Sequence, residues 1–353
     1  MTFQRFECGS AANGELAKGC DYCIKGSKMV LLVTGRCRAG CFYCPISAEK
    51  KGKDVIYANE GRVNCDEDII AEAVAMDAEG TGITGGDPSE KLDRVVHYIK
   101  LLKERFGKEH HIHMYTAVIS LENAKLLEEA GLDEIRYHPV EDLWTKMDTT
   151  ELADICSNVK MDVGIEVPSL PGKENELGAL AEYAFKAGVK FMNLNELEFS
   201  ESNWDMMATH NYLVKDELSS AVLGAEETAI KVLDSHPELP IHFCSSTFKD
   251  GVQLRNRLTR RAQHIAKEYD VITDDGTIIK GVIYHKDLPA AVALLKENYD
   301  VPDELLFIDS GRNRLEIAPW ILEEIGTELP FKCYIIEEYP TEDRLEVERT
   351  PIN

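Results

Sequence analysis

Two periods of polarity run through the chain. Short apolar, β-branched runs alternate with longer stretches whose apolar residues fall three and four apart, from residue 29 to residue 269. The short runs predict strands at 29–35, 80–84, 111–116, 134–139, 160–167, 189–196 and 241–244. The longer stretches predict helices over 66–78, 90–106, 122–130, 143–156, 175–187, 225–234 and 252–269. A polar insertion near 200–220 interrupts this rhythm. Strand–helix units joined by short connections imply a parallel sheet, and about seven such units make a partial or nearly complete (β/α) barrel.

The two ends read differently. Residues 1–28 lack periodicity and hold Cys8, Cys20 and Cys23 among glycines. From 270 onward a hairpin turning at Asp275-Gly276 leads into helix 288–298, strand 305–309, helix 318–325 and strands 331–339 and 344–349. The expected fold is therefore α/β, with a Cys-rich extension over 1–28, a (β/α) barrel over 29–269 and a small α+β accessory domain over 270–353. The accessory domain has no metal spacing and no phosphate loop, which suits substrate presentation or dimerisation better than chemistry.

Composition narrows the class. A hydrophobic content of 44% and a charged content of 29% are ordinary for a globular chain. No apolar run is long enough to span a membrane and no signal-peptide core is present, so a cytoplasmic protein without a membrane partner is expected. The net charge of −24 opposes a tight electrostatic grip on a long nucleic acid. Arg255, Arg257, Arg260, Arg261 and Lys267 could form a local basic patch, but on a helix they cover more than one face and read better as a solvated surface.

Cysteine placement carries the chemistry. Of ten cysteines, Cys8, Cys20, Cys23, Cys37, Cys41 and Cys44 fall within the first 44 residues, which in a reducing compartment reads as metal ligation. Cys37, Cys41 and Cys44 are spaced C-x3-C-x2-C directly after the first strand. A structural zinc wants four ligands, and the common ferredoxin run has a different spacing. Three thiolates can instead hold three irons of a [4Fe-4S] cube and leave the fourth iron without a protein ligand. Upstream, Cys8, Cys20 and Cys23 make part of a second metal site, with Cys244 as the preferred fourth ligand. Iron–sulfur, mononuclear iron and zinc all stay open there, as do a zinc knuckle and free thiols. Cys65, Cys156 and Cys333 read as buried small hydrophobes.

The run Cys37-Arg38-Ala39-Gly40-Cys41-Phe42-Tyr43-Cys44-Pro45 after an apolar strand resembles the radical SAM superfamily signature, and the resemblance extends over about residues 20–265. With the upstream cysteines and Gly85-Gly86-Asp87-Pro88, it is similar to archaeal members related to pyruvate formate-lyase-activating enzymes. That resemblance implies a partial barrel, a [4Fe-4S] cluster and S-adenosylmethionine, whose amino and carboxylate groups chelate the open iron. It implies reductive cleavage to methionine and a 5′-deoxyadenosyl radical, fed by a donor such as ferredoxin or flavodoxin. Gly85, Gly86 and Asp87 stand at the family's Gly-Gly-Glu-Pro turn, which binds the methionine ammonium, with Asp in place of Glu. Tyr43 stands beside the cluster, and Glu166 is assigned to the ribose.

Period-2 alternation puts Asn193 and Asn195 on one strand face, as cofactor contacts or satisfied core amides. His110, His111 and His113 are read as structural rather than metal-binding, and Tyr115 as a possible neighbour of the cluster. Arg136 and His138 are candidates for binding a carboxylate. A macromolecular substrate is favoured, with a protein side chain ahead of tRNA and C-methylation as one form. Cobalamin is possible but unsupported, because the chain has no Asp-x-His-x2-Gly run. The rival from another class is an electron-transfer or structural iron–sulfur protein.

Overall fold

The structure is a computed structural model and describes residues 3–353. Seven parallel strands follow one another in sheet order: β1 (Lys28–Leu32), β2 (Gly80–Thr84), β3 (His111–Thr116), β4 (Glu134–Tyr137), β5 (Asp162–Ser169), β6 (Phe191–Glu196) and β7 (Ile241–Cys244). The sheet does not close among the described residues: β1 pairs with a short antiparallel strand at Tyr57–Ala58, and β7 with one at Ala11–Ala12. A partial barrel results.

The helices lie where the periodicity puts them: α2 (Asp66–Ala75), α3 (Leu92–Phe106), α4 (Leu121–Ala130), α6 (Glu174–Ala187) and α8 (Ala225–Ser235). On α3, Val95, Tyr98, Ile99 and Leu102 recur at helical spacing and are buried. Ser120 caps α4 by accepting from Asn123 N, and Gly131 ends it with φ 108°.

Four expectations need correction. The stretch 143–156 is not one helix: 3-10 turns at Glu141–Leu143 and Met147–Thr149 precede a short α5 (Leu152–Asn158). The aperiodic N-terminal segment contains a helix, α1 (Lys18–Ile24), too short for periodicity to announce. The insertion, read as polar, carries α7 (Trp204–Thr209) and exposes Trp204, Met206, Leu213 and Leu218. Cys65 is exposed rather than buried, while Cys333 is buried and Cys156 intermediate.

The chain divides into two compact units, one of Met1–Val74 with Ala78–Leu254, the other of Ala75–Asp77 with Arg255–Asn353. The second unit begins with α9 (Arg255–Ile265), which sequence reading attached to the barrel. Arg260 donates to the carbonyl of Asp77, and Arg261 is buried against the carbonyl of Pro340, so these basic residues do not form one open face. Beyond α9 come β8 (Ile278–Tyr284), α10 (Leu288–Tyr299), β9 (Leu306–Asp309), β10 (Arg314–Ile317), α11 (Pro319–Ile325), β11 (Lys332–Glu338) and β12 (Glu346–Pro351). The sheet order is β9-β10-β8-β11-β12, entirely antiparallel. One face packs Ile283, Leu315, Ile317 and Cys333 against Leu295 and Leu322.

The other face of this sheet buries charge. Lys280 lies 3.0 Å from Glu338 and 3.4 Å from Glu316, while Arg314 lies 2.6 Å from Glu316 and 3.0 Å from Glu338. β10 escaped sequence reading because it is four residues long and its charged residues are buried. No helix among the described residues is long and apolar enough to cross a membrane.

Burial alone would raise the Glu316 pKa, but Lys280, Arg344 and Arg314 outweigh it and hold the group at about 2. A depressed carboxyl contributes stability above its unfolded pKa, near 4.3, and loses it as pH falls toward 2. Acid titration of the full chain, followed by hydrogen exchange at β8 and β11, should therefore show this unit loosening between about pH 4 and pH 2. Glu316→Gln should cost about 3–5 kcal/mol at pH 7 and flatten that dependence.

Candidate functional site

The strand register decides which side chains face the barrel lumen. Lys28 pairs with Gly80 and Val30 with Gly82; Gly82 pairs with His113, His113 with Glu134, Tyr115 with Arg136, Glu166 with Asn193, Asn193 with His242 and Asn195 with Cys244. Paired residues share a face, so all these residues point the same way. Their alternates, including Ile83, Ile112, Ile135, Ile165 and Leu194, are buried on the opposite side.

A cavity of about 900 Å³ runs from the strand ends into this lumen. Cys37, Cys41 and Cys44 line it at the mouth, together with Gly85 and Gly86; Glu166 and Asn195 line it deeper, with Lys28, and Lys249 also lines it. The C-x3-C-x2-C loop and the Gly-Gly turn thus meet at one opening. Phe42 stacks on His210 of the insertion with centroids 4.0 Å apart. Asn203 Nδ2 donates to Tyr43 O at 3.0 Å, and Ser202 Oγ donates to Cys44 O at 3.3 Å. The insertion therefore braces the cysteine loop.

Gly85 and Gly86 are required by close approach. A Cβ on Gly85 would lie 2.5 Å from Thr34 O, and one on Gly86 would lie 2.3 Å from Arg36 O. The contact is made by Gly86 N donating to Thr34 O at 2.7 Å and Asp87 N to Arg36 O at 2.8 Å. Asp87 differs from its expected placement. It is buried, and its carboxylate accepts from Ser89 N at 2.9 Å, Thr116 Oγ1 at 2.8 Å and Ala117 N at 2.9 Å. Its side chain ties β2 to the end of β3, and the backbone of Gly85 and Gly86 faces the cavity.

Tyr43 and His138 form a second brace. A carbonyl can only accept, so His138 Nδ1 donates to Glu166 O at 2.7 Å and Nε2 accepts from Tyr43 O–H at 3.0 Å. Burial lowers the His138 pKa, which keeps the imidazole neutral in this role, and burial raises that of the Tyr43 phenol. His138, expected to bind a carboxylate, instead anchors the cysteine loop.

Deeper in the lumen, Glu166 accepts from Arg136 NH1 at 2.7 Å, Asn193 Nδ2 at 2.9 Å and Asn195 Nδ2 at 2.8 Å. Burial would raise its pKa, but Arg136 and the two amides hold it at about 2. Arg136 also pairs with Glu134 and donates to Cys20 Sγ at 3.5 Å. Asn193 and Asn195 thus orient Glu166 from the neighbouring strand.

His110 bonds Thr81 Oγ1 at 2.8 Å, and His113 Nε2 lies 3.2 Å from Tyr115 OH. Lys28 and Lys249 escaped sequence reading. A lysine opening an apolar strand was the available signal for Lys28, whereas nothing local marks Lys249, which pairs with Glu198.

Among the described residues, no three His, Cys, Asp or Glu stand at metal-ligand positions, and this holds for Cys37, Cys41 and Cys44 as for Cys8, Cys20, Cys23 and Cys244. The motif thiols are nonetheless within one another's electrostatic reach, and Cys44 N donates to Cys41 O at 3.2 Å. Three thiols on a short loop facing a cavity suit three irons of a [4Fe-4S] cube, with Gly85, Gly86, Glu166 and Asn195 lining the space beside it.

Comparison with known proteins bears on this geometry. Residues 31–141 match the radical SAM superfamily, and residues 276–352 match a domain of unknown function, DUF8061. A Methanocaldococcus jannaschii protein, provisionally named a glycyl-radical enzyme activating enzyme, is 42% identical over 96% of this chain and 93% of its own length. A crystal structure of methylornithine synthase overlays with a TM-score of 0.40 at 11% identity, over 61% of this chain and 63% of that one.

Gly86→Ala should force the cysteine loop off β2, because its methyl would enter the Arg36 carbonyl. Iron bound per chain after anaerobic reconstitution should fall, with the circular dichroism of the barrel retained. Tyr43→Phe removes the phenolic bonds to His138 and to the Cys41 side chain but no cysteine ligand, so it should weaken loop stability by about 1 kcal/mol per bond and leave iron content near wild type.

Proposed function

This chain belongs to the radical SAM superfamily, and from that premise we propose that it acts on a partner protein, generating a radical there in the manner of an activating enzyme for a glycyl-radical protein. The observation that carries the reading is the convergence of the three motif thiols, the Gly85-Gly86 edge and the Glu166–Asn195 pair on one cavity of about 900 Å³. The name of the Methanocaldococcus jannaschii relative supports a protein as the substrate. No observation favours tRNA, C-methylation or cobalamin.

When bound, a [4Fe-4S] cluster and S-adenosylmethionine supply one-electron cleavage of the sulfonium to methionine and a 5′-deoxyadenosyl radical, which takes a hydrogen atom from the substrate. Cys37, Cys41 and Cys44 hold the cluster. The Gly85 and Gly86 backbone offers carbonyls to an ammonium, and the ionised Glu166 accepts from sugar hydroxyls. Tyr43 and His138 keep the loop in register, while the Phe42–His210 stack and the insertion cover its outer side. Arg36, Arg38, Lys51 and Lys53 are exposed on and beside the cysteine loop. On a chain of net charge −24 this local basic rim suits an acidic one-electron donor of ferredoxin or flavodoxin type.

Mixing the anaerobically reconstituted, reduced protein with S-adenosylmethionine should yield 5′-deoxyadenosine and methionine, and Cys41→Ala should abolish both. Failure of the wild-type chain to form 5′-deoxyadenosine under these conditions would sink the enzyme reading. Reduction by ferredoxin should slow as ionic strength rises, and Arg38→Glu with Lys51→Glu should slow it further. A salt-independent rate would remove the basic rim from the proposal.

A further inference from the structure

Three cysteines outside the motif, Cys8, Cys23 and Cys244, border one turn of the chain, and Cys20 stands one helical turn from Cys23. In α1, Cys20 and Cys23 stand three residues apart and so share one side of the helix. Cys244 ends β7 on its lumen face. The following segment, Lys249–Leu254, is a π-helix, a rare geometry that concentrates at functional sites. Its Gln253 spans two of the thiols: Cys23 Sγ donates to Oε1 at 3.1 Å, and Nε2 donates to Cys244 Sγ at 3.4 Å. Its Gly251 adjoins a third, since a Cβ there would lie 3.7 Å from Cys8 Sγ. Cys8 holds a left-handed backbone with φ 55°, and Ser245 Oγ donates to its carbonyl at 2.6 Å. The residue after Cys244 therefore pins the backbone of Cys8.

The surroundings suit negative charge. Arg136 and Asn193 donate to Cys20 Sγ at 3.5 and 3.2 Å. Lys28 is buried, bonds His113 Nε2 at 3.4 Å, and pairs with no carboxylate among the described residues. Cys23 and Cys20 are among the groups that act on its charge. Lys249 acts on Cys244 in the same way. A buried ammonium without a carboxylate is costly unless an anion stands beside it. His242, two residues before Cys244 on the same face, is buried with neither ring nitrogen partnered among the described residues. An imidazole N–H there is a donor for an anionic sulfur centre.

We propose that Cys8, Cys20, Cys23 and Cys244 form a second, thiolate-ligated metal centre beside the floor of the cavity, with the Gln253 amide acting as a spacer that the metal displaces. Four soft thiolates suit tetrahedral zinc or an iron–sulfur cube, and either product is anionic, which suits the Lys28 ammonium, left without a carboxylate among the described residues. The centre fastens the N-terminal segment to β7 and needs no contribution from Cys37, Cys41 or Cys44.

The test is metal content of the full-length Cys37→Ala/Cys41→Ala/Cys44→Ala chain, purified with zinc or reconstituted anaerobically with iron and sulfide. The expected result is about one zinc per chain in the first arm or about four iron and four sulfide in the second, and the arm that loads identifies the centre. Adding Cys23→Ser and Cys244→Ser should remove that metal. Gln253→Ala keeps all four thiols and tests the spacer without deleting a ligand: metal should be retained, and cobalt(II) substituted for zinc should show thiolate-to-metal charge-transfer absorption. A triple variant that loads neither metal, or metal that survives the two serine substitutions, overturns the proposal. Loss of metal in Gln253→Ala overturns the spacer role. Absence of 5′-deoxyadenosine production by the wild type leaves this test unaffected, since it reads metal in a chain without the motif.

Discussion

A guanidinium taken out of water in the barrel lumen, that of Arg136, is the constraint around which the first unit is arranged. Removing such an ion from solvent is costly by several kcal/mol unless it is paired with good geometry. Glu134 and Glu166 supply the charges, and Asn193 and Asn195 fix Glu166 from the next strand. Tyr115 and Phe191 place their rings 5.4 and 5.3 Å from the guanidinium carbon. The network reaches the N-terminal segment too. Gly19 N donates to Glu134 at 3.2 Å, and a Cβ on Gly19 would lie 2.6 Å from both Arg136 NH2 and His113 Nδ1. Glycine is the residue that lets α1 approach the ion so closely.

From that floor the cavity widens to a mouth built of backbone. The cysteine loop is fixed by main-chain bonds from the Gly-Gly turn, by Tyr43 through His138 to the Glu166 carbonyl, and by side chains of the insertion. Glu166 therefore serves both levels: its carboxylate closes the Arg136 network, and its carbonyl orients the imidazole that holds Tyr43. The loop and the lumen floor are mechanically linked through a single residue of β5. Radical chemistry needs such rigidity, because a reactive group held loosely finds the wrong hydrogen.

The second unit solves burial in the opposite way to most small domains. One sheet face is apolar, and the other sequesters Lys280, Arg314, Glu316 and Glu338 in mutual contact. Each member leaves an uncompensated buried charge if removed, so the network specifies one register of β8, β10 and β11. It shares no sequence period with the barrel, in keeping with the separate family match over residues 276–352.

Much of this was legible along the chain. Strand and helix alternation announced the parallel sheet, because period 2 and period 3.6 are local properties that packing only confirms. The motif cysteines and the Gly-Gly turn were legible as well, since their spacing is set within one loop and one strand end. What the chain could not disclose depends on register and on contacts between distant residues. Asp87 looked like a ligand-binding acid until three donors from its own turn and the end of β3 surrounded it. His138 looked like a carboxylate binder until Tyr43 and Glu166, 95 and 28 residues away, took its two nitrogens. Lys249 and Gln253 carried no signal, because a buried cation or a bridging amide differs from an exposed one only in what surrounds it. The sequence by itself determined the alternating strands and most helices of the barrel, the family and the three motif thiols. Only the tertiary structure decided which polar side chains face the lumen together, because residues far apart in the chain become neighbours when the parallel register aligns them.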